Sequence, residues 1–184
     1  LAAWMCGKTV VPLNYLLKKE ELQYVIDDCE TDIIFTAQPL LDVMGFSPHV
    51  KNLILLETCD FRGVPSPRLP ACPRDEDLAV LLYTSGTSGK PKGVMLSHGN
   101  LSANIRQILA HVDFGPQDIM LGVLPQFHSF GMTVLTLLPL TCGPQVVYAA
   151  RVMPPRVMNA IKQPTPQARR RIPPSRTPSL RLNG

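Results

Sequence analysis

From Glu21 to Cys29 the apolar residues Leu22, Val25, Ile26 and Cys29 recur at the spacing of one helix face, which predicts an amphipathic helix. A β-like run, Ile33-Ile34-Phe35, follows it, then a helix near Leu40 to Met44 and a second short run from Leu53 to Leu56. Leu78 to Tyr83 is six apolar or aromatic residues without a break and predicts a buried strand. Beyond a polar loop, Val94-Met95-Leu96 predicts another, and Ser97 and Asn100 are both suitable N-caps for a helix running to Val112. Ile119 to Leu124, Val134 to Leu138 and Gln145 to Tyr148 continue as strand, helix and strand. Strands alternating with helices predict an α/β fold on a largely parallel sheet flanked by helices. Leu78–Leu82 and Ile119–Leu124 are apolar enough to need cover on both faces. Few helices are predicted to supply it, so exposed apolar surface is expected there.

The interruptions matter as much as the runs. Pro65, Pro67, Pro70 and Pro73 define a surface loop in which neither helix nor sheet persists. Met132 to Ala150 is the longest apolar region, yet Pro139 and Gly143-Pro144 break it, so no transmembrane segment is predicted. The first residues form an apolar run resembling the middle of a helix, as if the chain started abruptly. After Lys162 five prolines and five arginines (169, 170, 171, 176 and 181) crowd the last stretch with almost no large apolar residue. Such a segment cannot offset its ordering entropy, and residues 163–184 are expected to be a disordered Arg/Pro-rich tail.

Composition changes this picture little: 45% hydrophobic and 17% charged residues describe a soluble globular protein. The net charge of +4 is a property of the tail, because without its five arginines 13 basic residues face 14 acidic ones. With no folded basic module or aromatics beside those arginines, a nucleic-acid partner is not expected. The five cysteines are scattered and lack zinc spacing, which predicts reduced thiols in a cytoplasmic protein.

The chemistry is concentrated in Tyr83-Thr84-Ser85-Gly86-Thr87-Ser88-Gly89-Lys90-Pro91-Lys92-Gly93. Four Ser/Thr hydroxyls, three glycines and two lysines follow directly on the buried strand. Glycines allow successive backbone N–H groups to converge on an anion, while hydroxyls and ammonium groups add donors and charge. Phosphate is the natural guest. The spacing is not that of a Walker loop, since two residues separate Gly86 from Gly89 and a proline follows Lys90. A flexible Ser/Gly linker would not place rigid Pro91 between two lysines behind a buried strand.

This stretch resembles the signature loop of the AMP-binding, adenylate-forming superfamily, with Ser88 where threonine is usual. Leu124-Pro125-Gln126-Phe127-His128-Ser129-Phe130-Gly131 resembles the second core motif, in the form closest to fatty acyl synthetases. Gly7 to Asn14 resembles the strand entry upstream. The resemblance covers residues 1–162, read as a partial N-terminal domain of that fold. It implies that ATP and Mg2+ serve a carboxylate, a fatty acid by the second motif, which attacks the α-phosphate to give acyl-adenylate and pyrophosphate. A thiol, CoA or carrier phosphopantetheine, then displaces AMP. By position, Thr84, Ser85, Gly86, Thr87, Ser88, Gly89 and Lys92 would contact phosphate, with Thr84 also nearest the magnesium. His128 would stand at the boundary of acyl and nucleotide sites; by itself, a histidine among phenylalanines reads as a packed core residue. His98, in a family-like S-H-x-N, reads as helix-entry structure.

The motifs that the family carries further on, a Tyr-Gly-x-Thr-Glu glutamate, a ribose-binding aspartate and a C-terminal lysine, have no match in these residues. From Gln163 the resemblance gives way to the kind of string that a GC-rich coding strand yields out of frame. The expectation is a partial or frameshifted product, inactive by itself. The alternative is a non-catalytic nucleotide-binding or interaction protein retaining the phosphate loop.

Overall fold

A computed structural model describes residues 1–60, 62, 72–84 and 90–149. The tail, most of the proline loop and positions 85–89 lie outside the described residues, together with the expectations placed on them.

The helices are α1 (Ala2–Met5), α2 (Lys19–Asp28), α3 (Gln38–Met44), α4 (His98–His111), α5 (Ser129–Met132) and α6 (Leu138–Cys142). The strands are β1 (Ile33–Thr36), β2 (Asn52–Leu55), β3 (Leu78–Thr84), β4 (Lys92–Ser97), β5 (Ile119–Gly122) and β6 (Gln145–Tyr148). Among the described residues they form three two-stranded sheets: β1–β2 and β5–β6 are parallel, and β3–β4 is antiparallel. The antiparallel pair follows from the short connection, because parallel strands need a crossover of a dozen residues or more. Val10 adds a parallel bridge to the other edge of β3, donating to the Ala79 carbonyl and accepting from the Leu81 N–H.

Among the described residues three apolar clusters carry the packing. In α2, Leu22 and Ile26 of the predicted face pack on Ile34, while Val25 is also buried. Ala79, Val80 and Leu82 of β3 pack with Leu101 and Met132, and Trp4 closes the edge by donating its indole N–H to Ala79 O at 2.8 Å. Met120 packs with Leu135 and Leu138. The expected uncovered apolar surface is found only in part where the sequence placed it. Ala79, Val80 and Leu82 of β3 are buried, whereas Ile119 and Leu124 are exposed, as are Val94 and Met95 on β4 and Phe35 on β1. Among the described residues β4 has only one strand neighbour, and its own pattern buries none of Lys92–Met95.

Helix ends follow local chemistry. Ser97 caps α4 by accepting the Asn100 N–H at 3.2 Å, while Asn100 Oδ1 accepts the Ser97 N–H at 3.0 Å. Of the two candidate caps, Ser97 is the cap and Asn100 its reciprocal partner. Between α5 and α6, Thr133–Leu137 widens into π-helical turns. Pro139 has no N–H for the Leu135 carbonyl four residues earlier. The Tyr148 hydroxyl donates to that carbonyl at 2.5 Å, tying β6 to the helix. Gly122 makes room for the tie, since a Cβ there would stand 2.6 Å from the Tyr148 ring.

Candidate functional site

Each motif contributes a different wall of one cleft of about 340 Å3. Thr84 reaches it because β3 ends there, and Lys90 and Pro91 reach it because the chain bends before β4. Pro12 and Asn14 come from the segment that bridges β3; the Asn14 side chain accepts the Leu16 N–H at 3.0 Å and turns the chain toward α2. Phe127, His128 and Ser129 arrive from the turn before α5, and Glu21 and Val25 from α2. The edge of the Tyr15 ring meets Phe127 at 88°, with centroids 5.6 Å apart, and joins the Pro12–Asn14 segment to the turn before α5.

His128 is not a packed core residue: it is exposed at the cleft. Its backbone is fixed on both sides, with its N–H donating to Pro125 O at 3.1 Å and its carbonyl accepting the Met132 N–H at 2.9 Å. Nδ1 accepts the Phe130 N–H at 3.3 Å, which leaves Nε2 as the ring's donor when the imidazole is neutral. Gly131 is required by space. A Cβ there would lie 2.0 Å from the Pro125 carbonyl oxygen, the atom that holds the His128 amide.

The predicted positions divide three ways. Thr84 and His128 are brought to one cleft. Lys92 opens β4 opposite Thr84 and is exposed, but the cation lining the cleft is Lys90. Ser85, Gly86, Thr87, Ser88 and Gly89 fall outside the described residues. For magnesium, the described cleft offers hard oxygen donors, the Thr84 hydroxyl and the Glu21 carboxylate. Glu21 Oε2 already accepts the Lys18 N–H. Among the described residues no three His, Cys, Asp or Glu side chains gather as a metal cage. That donor set fits an ion held mainly by substrate phosphates, as Mg2+ commonly is.

Tyr24 and Asp28, absent from the motif reading, stand beside the cleft. Asp28 Oδ2 accepts the Tyr83 hydroxyl at 2.5 Å, and Oδ1 lies 3.4 Å from the Tyr24 hydroxyl. Lys90 Nζ stands 5.2 Å from the centroid of the Tyr24 ring. Loss of hydration at the half-buried Tyr83 ring, then the hydrogen bond and charge of Asp28, hold its phenol above the ordinary range. The clue was present in α2: Glu21, Tyr24 and Asp28 recur at three and four residues, a polar stripe beside the apolar one.

The AMP-binding enzyme model matches residues 1–168. The chain belongs to the AMP-binding enzyme family. Among curated AMP-binding relatives, the sulfoacetate–CoA ligase of Cupriavidus necator is 32% identical, over 82% of this chain and 32% of its own length. O-succinylbenzoate coenzyme A synthetase from Bacillus subtilis, solved with AMP, superposes with a TM-score of 0.77 at 26% identity. That match covers 88% of this chain and 42% of that one. ATP-bound MatB from Rhodopseudomonas palustris gives a TM-score of 0.70 at 25% identity, over 88% and 34%. The chain therefore spans about a third of the length of the curated relative it matches. Among the described residues no helix is long and apolar enough to cross a membrane.

Proposed function

We propose that these residues form the phosphate-binding part of an ATP-dependent, carboxylate-adenylating acid–thiol ligase. The observation that carries the reading is the convergence of Thr84, Lys90 and His128 on one cleft at the end of β3. Family membership supplies the reaction class. Carboxylates differ among the relatives, with sulfoacetate and O-succinylbenzoate in their names. The Phe-His-x-Phe-Gly run supports a fatty acid as the acyl group here, with CoA or carrier phosphopantetheine as its acceptor.

In this reading the hydroxyls and backbone N–H groups of positions 84–89, with Lys92, bind the β- and γ-phosphates, and Lys90 adds a second cation. Thr84, with those phosphates, would hold Mg2+, which would supply charge neutralisation when bound. His128 presents Nε2–H where acyl group and nucleotide meet. Residues 1–162 act as one unit and 163–184 as an appended tail in a cytoplasmic protein. The 184 residues by themselves bind nucleotide without forming acyl-adenylate, since the glutamate and lysine that serve adenylation in the family have no counterpart among them.

Calorimetric titration with Mg-ATP, joined to a pyrophosphate-release assay over fatty acids of several lengths, malonate and an aryl acid, tests this. ATP binding without pyrophosphate release is the expected result. Release above background would overturn the claim of inactivity, and its acid dependence would name the substrate. No ATP binding would overturn the nucleotide reading.

A further inference from the structure

The backbone ladder of the β3–β4 hairpin stops at the Thr84–Lys92 pair, so it does not by itself place Lys90. Contacts from α2 reach past it. One helical turn supplies Tyr24 and Asp28, and between them they touch both sides of the turn. The Asp28 carboxylate takes the Tyr83 hydroxyl on the strand entering it, and the Tyr24 ring lies under the Lys90 ammonium on the segment leaving it. The helix is a firm support, because its opposite flank buries Leu22, Val25 and Ile26.

We propose that Tyr24 and Asp28 are positioning residues for the nucleotide site, holding Tyr83, next to Thr84, and Lys90 at the cleft so that phosphate affinity depends on side chains that touch no phosphate. The proposal rests on the nucleotide reading above. Two features separate it from a plain structural role. Asp28 is exposed and remains hydrated without a partner, so its loss leaves no buried orphan and little global destabilisation is expected. Tyr83 keeps its proton well above neutral pH, so the donor is present under any ordinary assay condition. Contacts that already hold Tyr83 and Lys90 need not be formed at the expense of binding energy when a polyphosphate arrives.

The test measures Mg-ATP and AMP affinities of the 184-residue chain by calorimetry, alongside thermal melts, for Tyr83→Phe, Asp28→Ala, Asp28→Asn and the Tyr83→Phe/Asp28→Ala double variant. Tyr83→Phe and Asp28→Ala should each weaken ATP binding by about three- to tenfold, the range of an ordinary net hydrogen bond, since the pair is exposed and acts on phosphate only through position. AMP, which lacks the β- and γ-phosphates, should bind as before. The double variant should be no weaker than the worse single one, and Asp28→Asn, which keeps an acceptor oxygen, should recover part of the loss. Tyr24→Leu should weaken ATP binding while Tyr24→Phe, which keeps the ring beneath Lys90, should not. Unchanged ATP affinity, additive losses, or equal losses for AMP would overturn the positioning role. A wild-type chain that binds neither nucleotide would overturn the nucleotide reading and this proposal with it.

Discussion

Replacing Gly131 with alanine sets two effects against each other. Intrinsic helix propensity favours alanine over glycine by about 0.5–1 kcal/mol within a helix. Geometry opposes it, because the added Cβ would stand 2.0 Å from the Pro125 carbonyl oxygen, 2.7 Å from its carbon and 3.0 Å from the Leu124 oxygen. Carbon and oxygen ordinarily approach no closer than about 3.3 Å, so a main-chain carbonyl, not a flexible side chain, must move by more than an ångström. Overpacking of this kind costs about 1–3 kcal/mol. Moving Pro125 O also breaks its bond with the His128 N–H, worth about 1 kcal/mol. Sterics win, and Gly131→Ala should lose about 2–3 kcal/mol net, a large share of the roughly 5–15 kcal/mol of a typical domain. Urea unfolding followed by circular dichroism measures the loss, and the His128 ring resonances should shift in the folded variant. A midpoint at or above that of the parent chain would refute the argument that space fixes this glycine.

Tyr148→Phe leaves the Leu135 carbonyl without its hydroxyl donor. It should cost about 1–2 kcal/mol in the same unfolding assay. Ser97→Ala removes the cap of α4 and should cost about 1 kcal/mol, whereas Ser97→Asp should retain most of it. Because the folded Tyr83 phenol is raised above its ordinary 10.0, its stabilising share is fully present below that pH and fades as pH rises beyond it. Spectrophotometric titration of the chain's tyrosines should lose its highest-pH phenolate step in Tyr83→Phe, and loss of a lower step instead would contradict the assignment.

The sequence by itself determined the elements whose causes are local. The helix face Leu22–Val25–Ile26, the strand Leu78–Tyr83 and the cap at Ser97 were all legible, since 3.6-residue periodicity, an unbroken apolar run and a serine–asparagine pair act within a few residues. The motifs also gave the family, because an eleven-residue constellation of glycine, hydroxyl and lysine reflects a chemical demand made in one place. What only the tertiary structure decided depends on partners distant in sequence. Apolar content shows that a strand seeks cover, but not which strand receives it. β3 obtained Trp4 and Val10 from more than 60 residues away, while β4 kept Val94 and Met95 exposed. Likewise, the loop sequence named Lys92, but the bend just before β4 carried Lys90 to the cleft, over a tyrosine that belongs to α2. The Tyr83–Asp28 bond spans 55 residues, and no local pattern in either segment specifies it. It exists because the apolar flank of α2 fixes the helix against the core, and the polar flank then faces whatever the hairpin brings there.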